Sequence, residues 1–137
     1  MKRIFRGILP FLSVIFCAVL LIKGASLVIP SGTWQATGAL SSARTGGAAA
    51  LLPDGRILMT GGDAGSGPLA SADFFQADGT VVPAPAMAIA RSSHFSVTLH
   101  DGRVLAGGGT TTVGSNTSTA EIFDPAANSW MATAQAK

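Results

Sequence analysis

Tyrosine is missing from this chain, and cysteine occurs once, at Cys17 inside an apolar N-terminal run. The rest of the sequence therefore has no disulfide, no cysteine-based metal site and no thiol nucleophile. Histidine occurs twice, at His94 and His100. A metal site needs several converging ligands, and two histidines on a strand and its turn do not supply them. Charge is scarce as well, at 12% of residues. The formal net charge of +2 invites a nucleic-acid reading, but four of the nine cations (Lys2, Arg3, Arg6 and Lys23) lie in the first 23 residues. From Ser26 onward five cations face seven acids, a balance of −2. No basic stripe remains to release counterions from a phosphate backbone, so nucleic acid is excluded as a partner.

What is present begins with the N-terminus. Met1 to Arg6 carries three cations and no acid, and Gly7 to Ile22 is free of charge. This is the n-region and h-region of an export signal. The uncharged run of 16 residues, interrupted by Pro10, falls short of the ~20 that a spanning helix needs. A cleaved signal is the first reading of residues 1–26. The alternative is an uncleaved membrane anchor through residues 7–22, kept open because Lys23 crowds the small residues Gly24-Ala25-Ser26. Either way an N-terminal hydrophobic helix is expected, and the chain is placed in the cell envelope or outside it. Residues 27–31 read as a connector.

Residues 32–137 are dominated by an internal repeat. Arg44, Leu52, Asp54-Gly55-Arg56 and Gly61-Gly62 recur 47 positions later as Arg91, Leu99, Asp101-Gly102-Arg103 and Gly108-Gly109. Ala72-Asp73-Phe74-Phe75 recurs 48 positions later from Ala120. A fixed period of this size signals a repeat architecture. Within each period, small apolar runs (Gly46 to Leu52, Ser93 to Leu99) end in Asp-Gly, a strong hairpin signal, and read as buried strands. Second strands (Arg56 to Thr60, Arg103 to Ala106) run into the glycines. Polar loops (Asp63 to Ser71, Thr110 to Thr119) lead to third strands at Ala72 to Gln76 and Ala120 to Asp124. Fourth strands follow at Thr80 to Pro83 and Ser129 to Ala132. The expected class is all-β, with four antiparallel strands per period, the size of a β-propeller blade. The first blade is expected over about residues 38–84 and the second over about 85–132.

The pattern Arg91-x-x-His94, Asp101-Gly102-Arg103, the glycine cluster, Ala120-Glu121-Ile122-Phe123-Asp124-Pro125 and Trp130 resembles a kelch motif. It is most similar to the galactose-oxidase-like kelch propellers. The motif residues taken from this resemblance are Arg44, Gly55, Gly61, Gly62, Arg91, His94, Gly102, Gly108, Gly109, Glu121 and Trp130. Gly47 replaces the motif's histidine in the first copy, and Val81 or Val82 replaces its tryptophan. The resemblance implies a propeller of several blades, whereas two leave two apolar faces open to water. The chain is therefore expected to be the front portion of a longer propeller. The alternatives are self-association of copies through the open faces and a small sheet that stands alone.

No catalytic constellation emerges. Ser92 and Ser93 neighbour His94 without a third member, so a triad is not indicated. Arg44 and Arg91 are expected to meet Asp73 and Glu121 inside or between blades. Galactose-oxidase-like proteins use copper with tyrosine ligands and a radical on a Tyr cross-linked to Cys. This chain, with no Tyr and no Cys after position 17, cannot carry that chemistry alone. Asn116-Thr117-Ser118 has the form of a glycosylation acceptor, which matters only in a eukaryotic secretory setting. The reading is a non-enzymatic module without a cofactor, binding a protein or carbohydrate through the loops Asp63 to Ser71 and Thr110 to Thr119. The alternative is a non-catalytic remnant of a galactose-oxidase-like copper oxidase scaffold.

Overall fold

A computed structural model describes residues 36–112 and 114–133. The expected N-terminal helix, the connector and Trp34 lie outside the described residues. Among those described there is no helix, and none long and apolar enough to cross a membrane. Eight strands form two four-stranded antiparallel sheets, each in chain order. The first contains β1 (Ala48–Leu51), β2 (Ile57–Thr60), β3 (Ala72–Phe75) and β4 (Val81–Ala84). The second contains β5 (Phe95–Thr98), β6 (Val104–Gly107), β7 (Ala120–Asp124) and β8 (Ser129–Ala132). The all-β class and the four-strand blades read from the repeat are those observed.

Local chemistry explains the chain reversals. In the β1–β2 turn, Asp54 Oδ1 accepts the Arg56 backbone N–H at 3.0 Å, and Oδ2 accepts Arg56 Nε–H at 2.8 Å. Gly55 sits between them at φ +87°, where an L side chain is strained. The β5–β6 turn repeats this with Asp101, Gly102 at φ +86° and Arg103. In the β3–β4 turn Asp78 Oδ1 accepts both the backbone N–H and the hydroxyl of Thr80. An aspartate two residues before its donor thus fixes each of these turns.

Period-two alternation gives each sheet two faces. Leu58, paired with Phe74, and Thr60, paired with Ala72, lie on one face of the first blade, here called trailing. Val104, paired with Phe123, and Ala106, paired with Glu121, lie on the opposite, leading face of the second blade. These two faces pack together and make the core: Leu58, Phe74, Val104 and Phe123 are buried there, with Trp130 against them. The Phe74 and Phe123 rings are 5.9 Å apart and tilted, and Phe123 and Trp130 are 5.2 Å apart. Each fully buried side chain of this kind contributes about 1.5–3 kcal/mol. The Arg56 guanidinium lies over the Phe74 ring, 4.2 Å from its centroid.

The small apolar runs differ from the buried strands expected of them. In β1, Ala50 is 6% exposed because the second blade covers it. Its repeat equivalent Val97 in β5 is 48% exposed, and Phe95 beside it 52%. Nothing among the described residues covers the trailing face of the second blade.

Candidate functional site

In both blades the β2–β3 type loops and the chain entering the inner strand lie at one end of the sheets, where the polar side chains gather. Arg91, at the entry to β5, is wholly buried. Its Nη2 lies 2.9 Å from Glu121 Oε1, and Nη1 donates to the carbonyls of Gly108 and Thr119, both at 3.0 Å. Glu121 in turn accepts the backbone N–H groups of Ala88 at 2.7 Å and Ile89 at 3.1 Å. The pair therefore pins the incoming link to its blade, gives the Gly108 carbonyl just past β6 a donor, and adds a second donor to the Thr119 carbonyl, which also accepts the Gly108 N–H.

The first blade has the same device one residue shorter. Arg44 Nη2 lies 2.7 Å from Asp73 Oδ2, and Nη1 donates to the Gly61 and Ser71 carbonyls. Asp73 Oδ2 accepts the backbone and hydroxyl of Ser41. The shorter Asp73 leaves its Oδ1 buried and without a partner among the described residues. Both arginine side chains are 2% exposed or less, so neither is presented to an anionic ligand.

His94 lies at the start of β5. Its Nε2 is 2.8 Å from Thr60 Oγ1 of the first blade, and that hydroxyl is 2.9 Å from Ser96 Oγ. Burial, assisted by the nearby Arg91 charge, pushes the imidazole pKa down to about 4, so it is neutral at pH 7. Thr60 and Ser96 carry no sequence signal for this contact, because it joins residues 34 and 36 positions apart across two blades. The histidine's partner is the Thr60 hydroxyl at the blade junction, and among the described residues no carboxylate orients the ring, which is not a nucleophile–base–acid arrangement. Ser92 and Ser93 do not join it: Ser92 pairs with Thr110, and the Ser93 N–H donates to the Gly46 carbonyl. Ser93 takes a positive φ of 53°, uncommon for a residue other than glycine.

The glycines mark close approaches. A Cβ on Gly61 would meet the Arg91 carbonyl oxygen and, at 2.7 Å, the His94 ring. One on Gly109 would meet the Ser92 carbonyl and, at 2.8 Å, His94 Cβ. One on Gly62 would lie 2.8 Å from the Thr45 carbonyl. Gly108 has φ +68° and roomier surroundings. Trp130 donates from Nε1 to the Pro85 carbonyl at 2.8 Å, tying β8 to the end of the first blade. His100 sits on the β5–β6 turn at the other end, where Leu51, Pro53, Leu99 and Asp101 join it around a shallow cleft. The Arg103 side chain holds the Asp101 carboxyl below its ordinary range.

The polar loops are held by their own side chains. Asp63 Oδ1 accepts the N–H groups of Gly65 and Gly67, and Thr110 Oγ1 donates to Asn116. Among the described residues no three His, Cys, Asp or Glu side chains gather to hold a metal ion.

This geometry defines a pair of propeller blades, and the comparisons name their type. Residues 91–134 match the kelch motif. A solved structure of a fungal alcohol oxidase of the AA5 family, in complex with copper, matches at 26% identity with a TM-score of 0.53. The match covers 64% of this chain and 18% of that one. No curated protein matches. The second blade therefore carries a kelch motif, and the first repeats its four-strand architecture. Copper chemistry of the galactose-oxidase type does not fit the donors present. There is no tyrosine, His94 Nε2 is engaged by Thr60, and His100 lies at the opposite end of the sheets.

Proposed function

We propose that this chain is an exported, non-catalytic binding module that meets a protein or carbohydrate through the paired loops Asp63 to Ser71 and Thr110 to Thr119. The observation that carries this reading is the repetition of the loop. Both leave the same end of their blades, and both close on themselves through side-chain bonds. Both also expose small polar residues, Ser66 in one and Ser115 and Asn116 in the other. Loops positioned by a rigid sheet are where such folds carry recognition. The charged and apolar groups nearest the loops are taken up in the arginine pins and the junction. Hydroxyl and amide groups remain to contact a ligand.

A second reading follows from the likeness to the copper-bound alcohol oxidase: a scaffold of that type that has lost its chemistry. Two measurements on the exported full chain separate the readings. Immobilised chain is probed with an array of defined oligosaccharides and with envelope proteins from its own host. Binding that is lost when residues 64–67 and 111–116 are replaced by Gly-Ser supports the module; binding that survives both replacements overturns it. Peroxide formed from a primary alcohol after copper loading would overturn the non-catalytic part of the proposal.

A further inference from the structure

Besides its apolar core, the junction between the two blades carries a set of backbone hydrogen bonds, and the same groups recur, without partners among the described residues, on the two outer faces. Across the junction the Gly62 N–H donates to the Arg91 carbonyl at 2.9 Å, and the Arg91 N–H donates to the Leu69 carbonyl at 3.0 Å. The Met87 N–H reaches the Ala70 carbonyl at 2.9 Å, and the Ser93 N–H the Gly46 carbonyl at 2.7 Å. The first blade thus offers one N–H and three carbonyls, and the second answers with one carbonyl and three N–H groups. The loop correspondence is fixed by matching bonds, Leu69 N–H to Gly62 O and Thr117 N–H to Gly109 O.

Moving this set forward by one repeat places it on the second blade's trailing side: Gly109 N–H and the carbonyls of Thr117, Ser118 and Ser93. Moving it back places the answering set on the first blade's leading side: the Arg44 carbonyl and the N–H groups of Arg44, Leu40 and Gly46. None of these eight groups has a hydrogen-bond partner among the described residues. Apolar surface accompanies both sets. Phe95, Val97 and Met131 are exposed on the trailing side, and Leu51, 62% exposed, on the leading side.

We infer that the trailing face of the second blade docks the leading face of the first blade of a second copy of this chain, reproducing the internal junction. The interface is heterologous, head to tail, so it closes into a ring or runs into an open filament. It continues an interface that the molecule already makes, and backbone donors and acceptors do not depend on which side chains the repeat carries. It is weaker than the internal junction. The Thr60–His94 bond has no counterpart, because Gly107 and Gly47 occupy those positions. Leu51 likewise lacks the hydroxyl with which Thr98 bonds the Leu51 carbonyl. This inference is independent of the loop-binding proposal, since it uses the sheet faces and leaves the loop tips free.

The test uses the full chain in mild detergent, followed by sedimentation over a wide concentration range. Two variants place a charge on one face each: Val97→Asp on the trailing side and Leu51→Asp on the leading side. Both positions are exposed, and retention of the β-sheet circular dichroism signal checks folding. The wild-type chain is expected to form assemblies that grow with concentration, and each variant alone to be monomeric. An equal mixture of the two variants is expected to stop at a dimer, since each retains one intact face of opposite kind. A wild-type monomer at all concentrations overturns the inference. So does association that survives both substitutions, or a mixture that remains monomeric.

Discussion

Replacing Glu121 with alanine removes the carboxylate that anchors the link into the second blade. The Arg91 guanidinium, wholly buried, is left with its charge uncompensated, and the Ala88 and Ile89 N–H groups lose their acceptor. Removing one partner of a buried pair costs about 3–5 kcal/mol. Against the 5–15 kcal/mol typical of a domain, that is a large fraction of the whole. The folded-to-unfolded ratio falls by roughly two to three and a half orders of magnitude. In urea, with a slope near 2 kcal/mol/M, the midpoint drops by about 1.5–2.5 M at unchanged slope. Trp130, packed at a tilt against Phe123 in the junction, makes fluorescence a direct reporter. The double variant Arg91→Met/Glu121→Leu is the sharper test. A simple buried ion pair can be replaced by apolar side chains with little loss. Here the Ala88 and Ile89 N–H groups and the Gly108 carbonyl would lose their side-chain partners, each costing about 1–3 kcal/mol where buried, while the Thr119 carbonyl keeps the Gly108 N–H. The double variant is therefore expected to stay at least about 2 kcal/mol below wild type. Recovery of full stability would refute the view that this pair acts chiefly as a clasp for backbone.

Three further outcomes follow from the same geometry. Gly61→Ala, which drives a methyl into the Arg91 carbonyl, should destabilise by more than about 3 kcal/mol; Gly55→Ala, with open space around it, should cost only the ~1–2 kcal/mol of its left-handed backbone, both read by thermal unfolding. Trp130→Ala should cost about 2–3 kcal/mol, below the range for a fully buried tryptophan because the ring is partly exposed, and Trp130→Phe should recover the packing but not the bond to Pro85. His94 is held neutral, with its folded pKa about 4 against 6.5 in the unfolded chain. The unfolded state therefore takes up the proton first, and stability present above pH 6.5 should decline as pH falls towards 4, then level off. His94→Asn should flatten that part of the pH profile of the urea midpoint, and an unchanged profile would show that the imidazole is not buried as described.

The blade was legible because its devices are local. Asp54-Gly55-Arg56 and Asp101-Gly102-Arg103 fix their turns within three residues, and the alternation along each strand shows which residues share a face. The pairing of Arg91 with Glu121 could be anticipated from the repeat, since each copy carries one arginine and one acid. The backbone bonds that give the pair its purpose were not legible, because a carbonyl or N–H leaves no mark in the sequence. The His94–Thr60–Ser96 contact was likewise invisible, since Thr60 and Ser96 are of no distinctive type and the contact joins one blade to the next.

The sequence by itself determined the all-β class, the two repeats, the turn chemistry and the lack of tyrosine and, after Cys17, of cysteine. Those follow from residue type and spacing along a single strand or turn. Tertiary structure alone decided which faces meet. It buried Ala50 and left Val97 exposed at the equivalent position, and it made one set of backbone groups into a junction while leaving its two copies without partners among the described residues. Nothing in the repeat distinguishes these positions. Burial is a property of what lies on the other side of the sheet, and hydrogen bonds between blades depend on packing rather than on the side chains that a sequence records.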